Sequence, residues 1–525
     1  MAKSGERSGC VMGSPAFNGR EGCILALDVG TSAIHCLLTD SFGRPLTAAS
    51  APMRYFTSEG CSYIAREFNP DLVLDALGKL VGTVLSSGKI KAEYVSAIGV
   101  TSQRQGVVFL DDEEKELYCG PNVDLRAVFE GARIDEKLGR EVYATTGHFP
   151  SMLMAPARLQ WFHENSPEIY DSTHKILTIA GWIAYKLTGV IMSEPSLEAE
   201  AGLLNVTTKE RCPSLMDKLG VNPSTLPPLS VGGGPFGTLG QAVASDWGLK
   251  SGIPVVVAGP DTQCGLLGMG LVEEGQVGAV MGWSGALQAI TSTPRLDEDM
   301  RTWVGCYPFG VGHGRPRDAT WVAEINLGDT GNAYRWLKDT ILGQDASFEE
   351  AEHLAREAGE VSEGVTAFLG PGPVSSLKAG LKMGGLFFPT PLSFQEATRG
   401  HLFRAALENI GYSIKANLST LEEVTGHDSR ALYLGGGMSG SRTLITLLAN
   451  TLGIPIRRST TPQISARGAA LAAAVSADSS VTLKRMAEVA SDDCEEIEPG
   501  TAGEIAQYQE YYQQWLHLYK RLEWE

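Results

Sequence analysis

A chain of 525 residues is too long for one core, so two large compact units, or roughly three or four smaller ones, are expected. With 43% hydrophobic and 20% charged residues the composition is that of a globular protein, and a net charge of −18 argues against nucleic acid or an anionic membrane as the main partner. It does not exclude a phosphorylated ligand, because a nest of backbone N–H groups binds phosphate whatever the net charge.

Residues 1–22 are polar and Gly/Ser-rich, without the apolar segment of a signal peptide, and read as a disordered tail. CILALDVGTSAIHCLLTD (23–40) reads as strand, tight polar turn, strand, and SFGRPL after it suits a meander. Apolar residues at three- and four-residue steps predict a helix over 70–88, started by Asn69-Pro70-Asp71. VSAIGVTSQ (95–103) is a buried strand, broken at Gln103-Arg104-Gln105-Gly106 before a returning strand VVFLDD. Helical periodicity resumes in ARLQWFHEN and GWIAYKLTG, and the Pro/Gly-rich PSTLPPLSVGGGPFGTLG marks a domain boundary. IPVVVAGPD then ends a buried strand on Asp261, and VGAVMGWSGALQAIT (277–291) is a second strand–turn–strand. The last third alternates long helices with the glycine turn LGGGMSGS and closes on the amphipathic YQEYYQQWLHLYKRL. No run of roughly 18 apolar residues spans a membrane. Nine scattered cysteines without CxxC fit a reduced, cytoplasmic protein, and no HxxxH or HExxH suggests a transition metal. Each half opens with strand, Asp/Gly turn, strand and closes with helices, so two α/β domains facing each other across a cleft are expected.

Several short stretches have the chemistry of a ligand site. DVGTS (28–32) offers the Asp28 carboxylate, a glycine that admits close approach at Gly30, and the Thr31 and Ser32 hydroxyls; an ordinary hairpin turn is the plainer alternative. If ATP binds there, Asp28 needs a bridging Mg²⁺. LGGGMSGS (434–441) follows a strand and opens a helix, a familiar nucleotide position that is also a common α/β connection. Asp261 is a proton acceptor, a metal holder through water, or a helix N-cap. Asp124 and Arg126 could grip hydroxyls or form a surface ion pair, and Gln103-Arg104-Gln105 sits at a strand end, where a polar turn is the plainer reading. Trp182, Trp283 and Trp336 read as core first and sugar-stacking second.

In this order the pieces resemble the FGGY family of carbohydrate kinases, of the actin-like (ribonuclease H-like) ATPase superfamily. The resemblance runs from about Ile24 to Ala477, through LDVGTSAIHCLLTD, GVTSQRQGVVFLD, PNVDLRA, GWIAYKLTG, AGPDTQCGLLG, GWSGALQ, NLGDTGNAYRWL, HLFRAALENIGY, LGGGMSGS and ISARGAALAAA. It implies an N-terminal sugar-side domain over 23–250, a C-terminal domain over 251–480 carrying the base and nucleotide side, and a helical extension over 481–525. It further implies that Asp261, across the cleft from Asp28, is the general base. Asp28 would hold Mg²⁺ through water, and Gly30, Thr31, Ser32, Gly282 and Ser284 would face the phosphates of ATP. Gly436, Gly437 and Ser441 would lie against adenosine, and Gln103, Arg104, Asp124 and Arg126 would hold substrate hydroxyls. The partners implied are a sugar or polyol and, as an option, a second copy of the chain.

The chain departs from the family's usual residues at His35 (Lys or Arg), Trp283 (Thr), Gly181 (Asp), Gln463 (Glu) and in Gly259-Pro260-Asp261-Thr262-Gln263 (Gly-Gly-Gly-Asp-Gln). Glycerol kinases carry Arg-Glu where Arg104-Gln105 stand, and xylulokinases carry Gln-Met-His-Gly where 103–106 stand. PNVDLRA, ATTGHFPSMLMAPARLQWF and SEPSLEAEAGLL look like autoinducer-2 kinases. The expected substrate is a small linear polyhydroxy ketone, a ketopentose such as xylulose first, an autoinducer-like dione second. A weakened, non-catalytic homologue is the further alternative, and the sugar-side segments argue against an assembly or chaperone ATPase.

Overall fold

The computed structural model describes residues 22–523 apart from 59–60, 62, 231–233, 310–319, 363, 375–380, 382, 392–395 and 479, so the tail expected over 1–22 lies, but for Gly22, outside the described residues. The fold is α/β in two compact units. The first takes Met1–Gly270, Cys306–Asp318 and Gln463–Asp492; the second takes Leu271–Gly305, Ala319–Pro462 and Asp493–Glu525.

In the first unit β1 (Cys23–Val29), β2 (Ala33–Asp40) and β3 (Pro45–Pro52) form the expected antiparallel meander. Parallel to β1 lies β4 (Val95–Ser102). β5 (Val107–Leu110) does not return to this sheet but sits between β6 (Glu116–Gly120) and β7 (Lys175–Thr178) in a smaller one. β8 (Gly237–Thr238) and β9 (Pro254–Pro260) complete the six-stranded order β3-β2-β1-β4-β9-β8. Every residue of β1 is buried, as a strand covered on both faces must be. The helix Pro70–Gly88 covers one face with Val73, Leu77, Val81 and Val84, and Asn69 caps it by accepting from the Leu72 N–H at 3.1 Å. The Ala-rich helix Ile464–Ala477 packs on β1 and β4 and crosses the helix Asp261–Gly268 so closely that a Cβ on Gly468 would lie 1.8 Å from the Cys264 carbonyl oxygen.

These contacts correct the expected boundary near residue 250. β9 pairs with β4 from Ile98↔Val255 to Ser102↔Pro260, so Asp261, the residue directly after β9, belongs to the same unit as Asp28, not to an opposing one. The Pro/Gly-rich stretch before it is a connection within the unit, and the helix Ile464–Ala477 also belongs here.

In the second unit β10 (Val277–Met281) and β11 (Gly285–Thr291) are the expected hairpin. They join β12 (Trp303–Cys306), β13 (Trp321–Gly328), β16 (Leu432–Gly435), β17 (Ile456–Ser459) and β18 (Cys494–Ile497) in the order β12-β13-β11-β10-β16-β17-β18; β14 (Thr366–Phe368) and β15 (Gly385–Phe387) pair separately. The echo between the halves is a shared pattern. β13-β11-β10 is antiparallel with β16 parallel to β10, as β3-β2-β1 is antiparallel with β4 parallel to β1. The segment 481–525 is no appendage. β18 is an edge strand on β17, and the helix Ala502–Leu522 buries Tyr508, Tyr512, Trp515 and Tyr519, in a cluster with Phe368 and Tyr412.

Trp182 is a core residue whose indole N–H donates to Glu116 Oε1 at 2.8 Å, whereas Trp283 and Trp336 are 39% and 53% exposed, against expectation. All eight cysteines among the described residues are free, and among those residues no helix is long and apolar enough to cross a membrane.

Candidate active site

β1, β4 and β9 run parallel and end level with one another. Asp28 stands beside Thr101, and Thr101 beside Gly259, whose carbonyl accepts the Thr101 hydroxyl at 2.7 Å. Carboxyl ends of parallel strands are where α/β sheets bind ligands. Gly259 has φ +121°, and a Cβ there would lie 2.9 Å from Ser196 Oγ, so glycine alone lets the chain turn from strand into Asp261. The N-cap is Pro260, not Asp261, which begins the helix Asp261–Gly268 half-buried, its Oδ1 accepting from the Thr262 N–H at 2.9 Å.

Asp28 is buried, and its Oδ1 has no hydrogen-bond partner among the described residues. Burial, and then the charge of Asp261, push its carboxyl well above the ordinary range. His35, opposite Asp28 on β2, offers no compensating cation: burial lowers its imidazole to about 4, and its nearest polar partner is the Gln463 amide at 3.5 Å from Nδ1. Two carboxylates, one with an orphaned buried oxygen, form a set that a divalent cation would relieve. Among the described residues no three acidic, His or Cys side chains cluster as a cation cage.

The turn Gly30-Thr31-Ser32 sits at the end of β1. The Thr31 hydroxyl donates to Asn122 Oδ1 at 3.1 Å, its carbonyl accepts from Tyr55 at 2.6 Å, and Ser32 is exposed. Gln103 holds this turn in place. Its amide donates to the Gly30 carbonyl and to Tyr55 Oη, both at 3.3 Å, and accepts from the Asn122 N–H at 2.9 Å. Its polar atoms are thus engaged in positioning the loop.

Asp124 and Arg126 form a buried pair, not a surface one. The Arg126 Nε donates to Asp124 Oδ2 at 2.6 Å and its NH2 to Glu67 at 2.7 Å, while the guanidinium lies over the Tyr118, Trp161 and Phe162 rings. Asp124 also accepts from Tyr118 Oη and the Arg66 N–H. In this arrangement the pair supports the wall of the small sheet rather than presenting a free carboxylate.

Arg104, at the end of β4, donates to Glu200 Oε2 at 3.4 Å. Glu200 also faces His148 Nε2 at 3.1 Å and accepts from Gln263 Nε2 at 3.2 Å. Glu200, His148 and Gln263 escape a reading of the sequence. The available signal is a pair of acids alternating with alanine ahead of an apolar run, Glu198-Ala199-Glu200-Ala201-Gly202-Leu203, which is too polar for a core and too apolar for a surface.

In the second unit the parallel strands β10 and β16 carry the other two loops at their carboxyl ends. Gly282, Trp283 and Ser284 are exposed, and the loop is tied to the start of the helix Thr330–Leu342 by the Asn332 N–H on the Trp283 carbonyl at 3.0 Å. Trp283 points outward with the Arg335 guanidinium 4.7 Å over its ring. Both line a cavity of about 420 Å³ with Asp329, Asn332 and Trp336. Gly436 has φ +93° and passes so near Met281 that a Cβ would meet its carbonyl oxygen at 2.5 Å, while Gly437 is exposed with open space where its Cβ would point. Ser441 caps the helix Arg442–Leu452, accepting from the Leu444 N–H at 3.1 Å and donating to Glu352 at 2.7 Å.

Residues 23–268 match the N-terminal domain, and residues 307–477 the C-terminal domain, of the FGGY family of carbohydrate kinases. The chain is 30% identical over 430 residues to the putative sugar kinase YoaC of Bacillus subtilis (strain 168), covering 82% of this chain and 84% of that protein. It is 28% identical over 469 residues to the autoinducer-2 kinase of Escherichia coli (strain K12), covering 86% of each. The fold matches a xylulose kinase from Lactobacillus acidophilus with a TM-score of 0.81 at 19% identity, over 95% of this chain and 98% of that one. It matches a glycerol kinase from Plasmodium falciparum equally well, with a TM-score of 0.81 at 18% identity over 96% and 99%. With both domains matched in order on a two-unit α/β fold, the chain belongs to the FGGY family of carbohydrate kinases and is a phosphotransferase acting on a sugar hydroxyl.

Proposed function

We propose that this kinase transfers the γ-phosphate of ATP to a hydroxyl of a small linear polyhydroxy ketone, with Asp261 as general base. The observation that carries the reading is the pairing of Asp28 and Asp261 at the ends of β1 and β9, one carboxyl buried with an orphaned oxygen, the other half-buried at a helix start. The Asp261 carboxylate takes the proton of the substrate hydroxyl as that oxygen forms its bond to the γ-phosphorus. The bond from the γ-phosphorus to the β,γ-bridging oxygen breaks, and ADP leaves. Such a transfer asks mainly for in-line placement and charge neutralisation. Asp28 would hold Mg²⁺ through water, and the ion, when bound, supplies the positive charge that offsets the phosphates. The N–H groups and hydroxyls of Gly30, Thr31, Ser32, Gly282 and Ser284 are assigned to phosphate, and Gly436 and Gly437 to adenosine. Ser441, occupied as a cap, would join them only by giving up a bond. Arg104 is assigned to the substrate side, with Gln103, Asp124 and Arg126 shaping it from behind.

The relatives named putative sugar kinase and autoinducer-2 kinase support a small sugar or autoinducer-like acceptor, and the panel spans both classes. A cytoplasmic location fits such a substrate. ADP release with ATP and Mg²⁺ against xylulose, ribulose, fuculose, rhamnulose, erythritol, glycerol and the autoinducer precursor tests the reading. One ketose or dione is expected to stand at least tenfold above glycerol; a preference for glycerol would overturn the substrate class.

A second reading, a weakened kinase, is favoured by Trp283, whose indole stands where the family places a hydroxyl donor to phosphate. Under it, Trp283→Thr raises kcat/KM for ATP several-fold; under the first reading the substitution leaves it within about twofold.

A further inference from the structure

Beneath the turn that carries Asp261 lies a buried charged cluster built from three separate parts of the chain. Glu200 ends the short helix Pro195–Glu200 and is 1% exposed; His148 follows the helix Val128–Thr146 and is 1% exposed; Gln263 lies two residues after Asp261 and is fully buried. The start of the same short segment also approaches the turn, with Ser196 Oγ 2.9 Å and Glu194 Oε2 3.9 Å from where a Gly259 Cβ would stand. The segment 194–200 therefore contacts residues 259–263, with Ser196 and Glu194 against Gly259 and Glu200 against Gln263.

The bonds of His148 fix its protons. Nδ1 lies 2.7 Å from the Thr146 carbonyl oxygen, which can only accept, so Nδ1 carries hydrogen. Nε2 lies 3.1 Å from Glu200 Oε2. That oxygen also accepts from Arg104, and Glu200 Oε1 accepts from Gln263, so the carboxyl is surrounded by donors and is ionised. A neutral ring with hydrogen on Nδ1 would turn the Nε2 lone pair onto a carboxylate, so both contacts are satisfied only by the imidazolium.

We infer that His148, charged at neutral pH, is a positioning residue for Asp261: with Arg104 it holds Glu200 ionised, and Glu200 holds the first turn of the Asp261 helix through Gln263. This rests on the assignment of Asp261 as base. Glu200, Arg104 and the Thr146 carbonyl face His148. Burial, the largest influence, works against the imidazolium, and so does Arg104, yet Glu200 together with the Thr146 carbonyl outweighs them and the ring's affinity for its proton rises. Burial likewise works against the Glu200 charge, but His148 and Arg104 outweigh it and lower its carboxyl. The sign follows. A raised histidine contributes its stabilisation in full below its unfolded value and loses it as pH rises through the folded one. A lowered carboxyl contributes above its unfolded value and loses it as pH falls through the folded one. The cluster is intact between these limits, and on the alkaline side the Nε2 proton leaves to solvent and the contact to Glu200 fails.

Two measurements decide it. ¹³C NMR of ring-labelled histidine in the full chain without ligands, with His148→Gln assigning the resonance, should show His148 protonated at pH 7 and titrating above an ordinary histidine. A ring neutral at pH 7 overturns the proposal whether or not any sugar turns over. The pH profile of ADP release, with the panel ketose that reacts fastest, should show an alkaline limb in kcat that His148→Gln, which keeps a donor but cannot titrate, lacks, with KM for ATP within about twofold. A variant profile that superimposes on the native one overturns it. Glu200→Gln should also lose the limb and lower kcat about tenfold or more, and serves if His148→Gln does not fold. No turnover on any sugar would speak against the substrate reading, while the ring titration still decides the charge on which this proposal rests.

Discussion

Asp28 pits binding chemistry against stability at one position. Its carboxyl is raised by burial first and by Asp261 second, so the folded protein holds its proton more tightly than the unfolded chain does. Its favourable contribution is present in full below the unfolded aspartate value and is lost as pH rises through the folded one. Asp28→Asn removes that loss. The expected outcome is a higher Tm for the nucleotide-free protein at neutral pH, by roughly 1–2 °C per kcal/mol relieved in a molecule of this size, together with a fall in turnover of about tenfold or more and a raised Mg²⁺ requirement. Scanning calorimetry with a magnesium titration checks both, and a lower Tm would show that the Asp28 charge is already compensated. At this scale the two carboxylates of the candidate site were legible: one after a β-branched run and one in a glycine turn stand out locally. The roles of Gln103 and Arg126 were not, because their partners, Gly30, Tyr55 and Asn122 for the first and Glu67 for the second, lie 19 to 73 residues away in sequence.

Among the elements, the crossing of the helices Asp261–Gly268 and Ile464–Ala477 holds Asp261, the proposed base, in place. Backbone meets backbone there, since a Cβ on Gly268 would lie 2.0 Å from the Ile464 carbonyl oxygen and one on Gly468 1.8 Å from that of Cys264. Gly468→Ala cannot be relieved by turning a side chain. It is expected to destabilise by about 1–3 kcal/mol or more and to lower kcat by moving the Asp261 helix. Gly82→Ala is the control: this glycine is exposed in the middle of the helix Pro70–Gly88 with no neighbour within 4 Å of its Cβ, and the change should stabilise by ~0.5–1 kcal/mol. Thermal melts of the two variants should therefore move in opposite directions, and a harmless Gly468→Ala would mean that the helices separate at little cost. The hairpins β1–β2 and β10–β11 and the long helices were readable because period and turn residues are local. That ISARGAALAAA packs beside Asp261, and not with the helices preceding it in sequence, was not, because an Ala/Gly-rich face carries little hydrophobic signal.

For the whole molecule the chain order is not the spatial order. The chain leaves the first unit at Gly270 and returns to it at Cys306 and at Gln463, so the family resemblance gave the right fold while a linear boundary near 250 cut a parallel strand pair. Pairing of β4 with β9 joins residues some 157 apart (Ile98 to Val255) and leaves no mark on either segment beyond burial. It also bears on the proposed catalysis, because the two carboxylates, Asp28 at the end of β1 and Asp261 directly after β9, lie in a single unit and their mutual repulsion is built into it.

The most direct test of that account is ADP release by the native protein and by Asp261→Asn, with ATP and Mg²⁺, across the ketose and dione panel. The account predicts sugar-dependent turnover on a small linear ketone, and a loss of about two or more orders of magnitude in kcat in the variant with nucleotide affinity nearly unchanged. Turnover that survives Asp261→Asn would contradict the assignment of the base and, with it, the role given to the paired carboxylates.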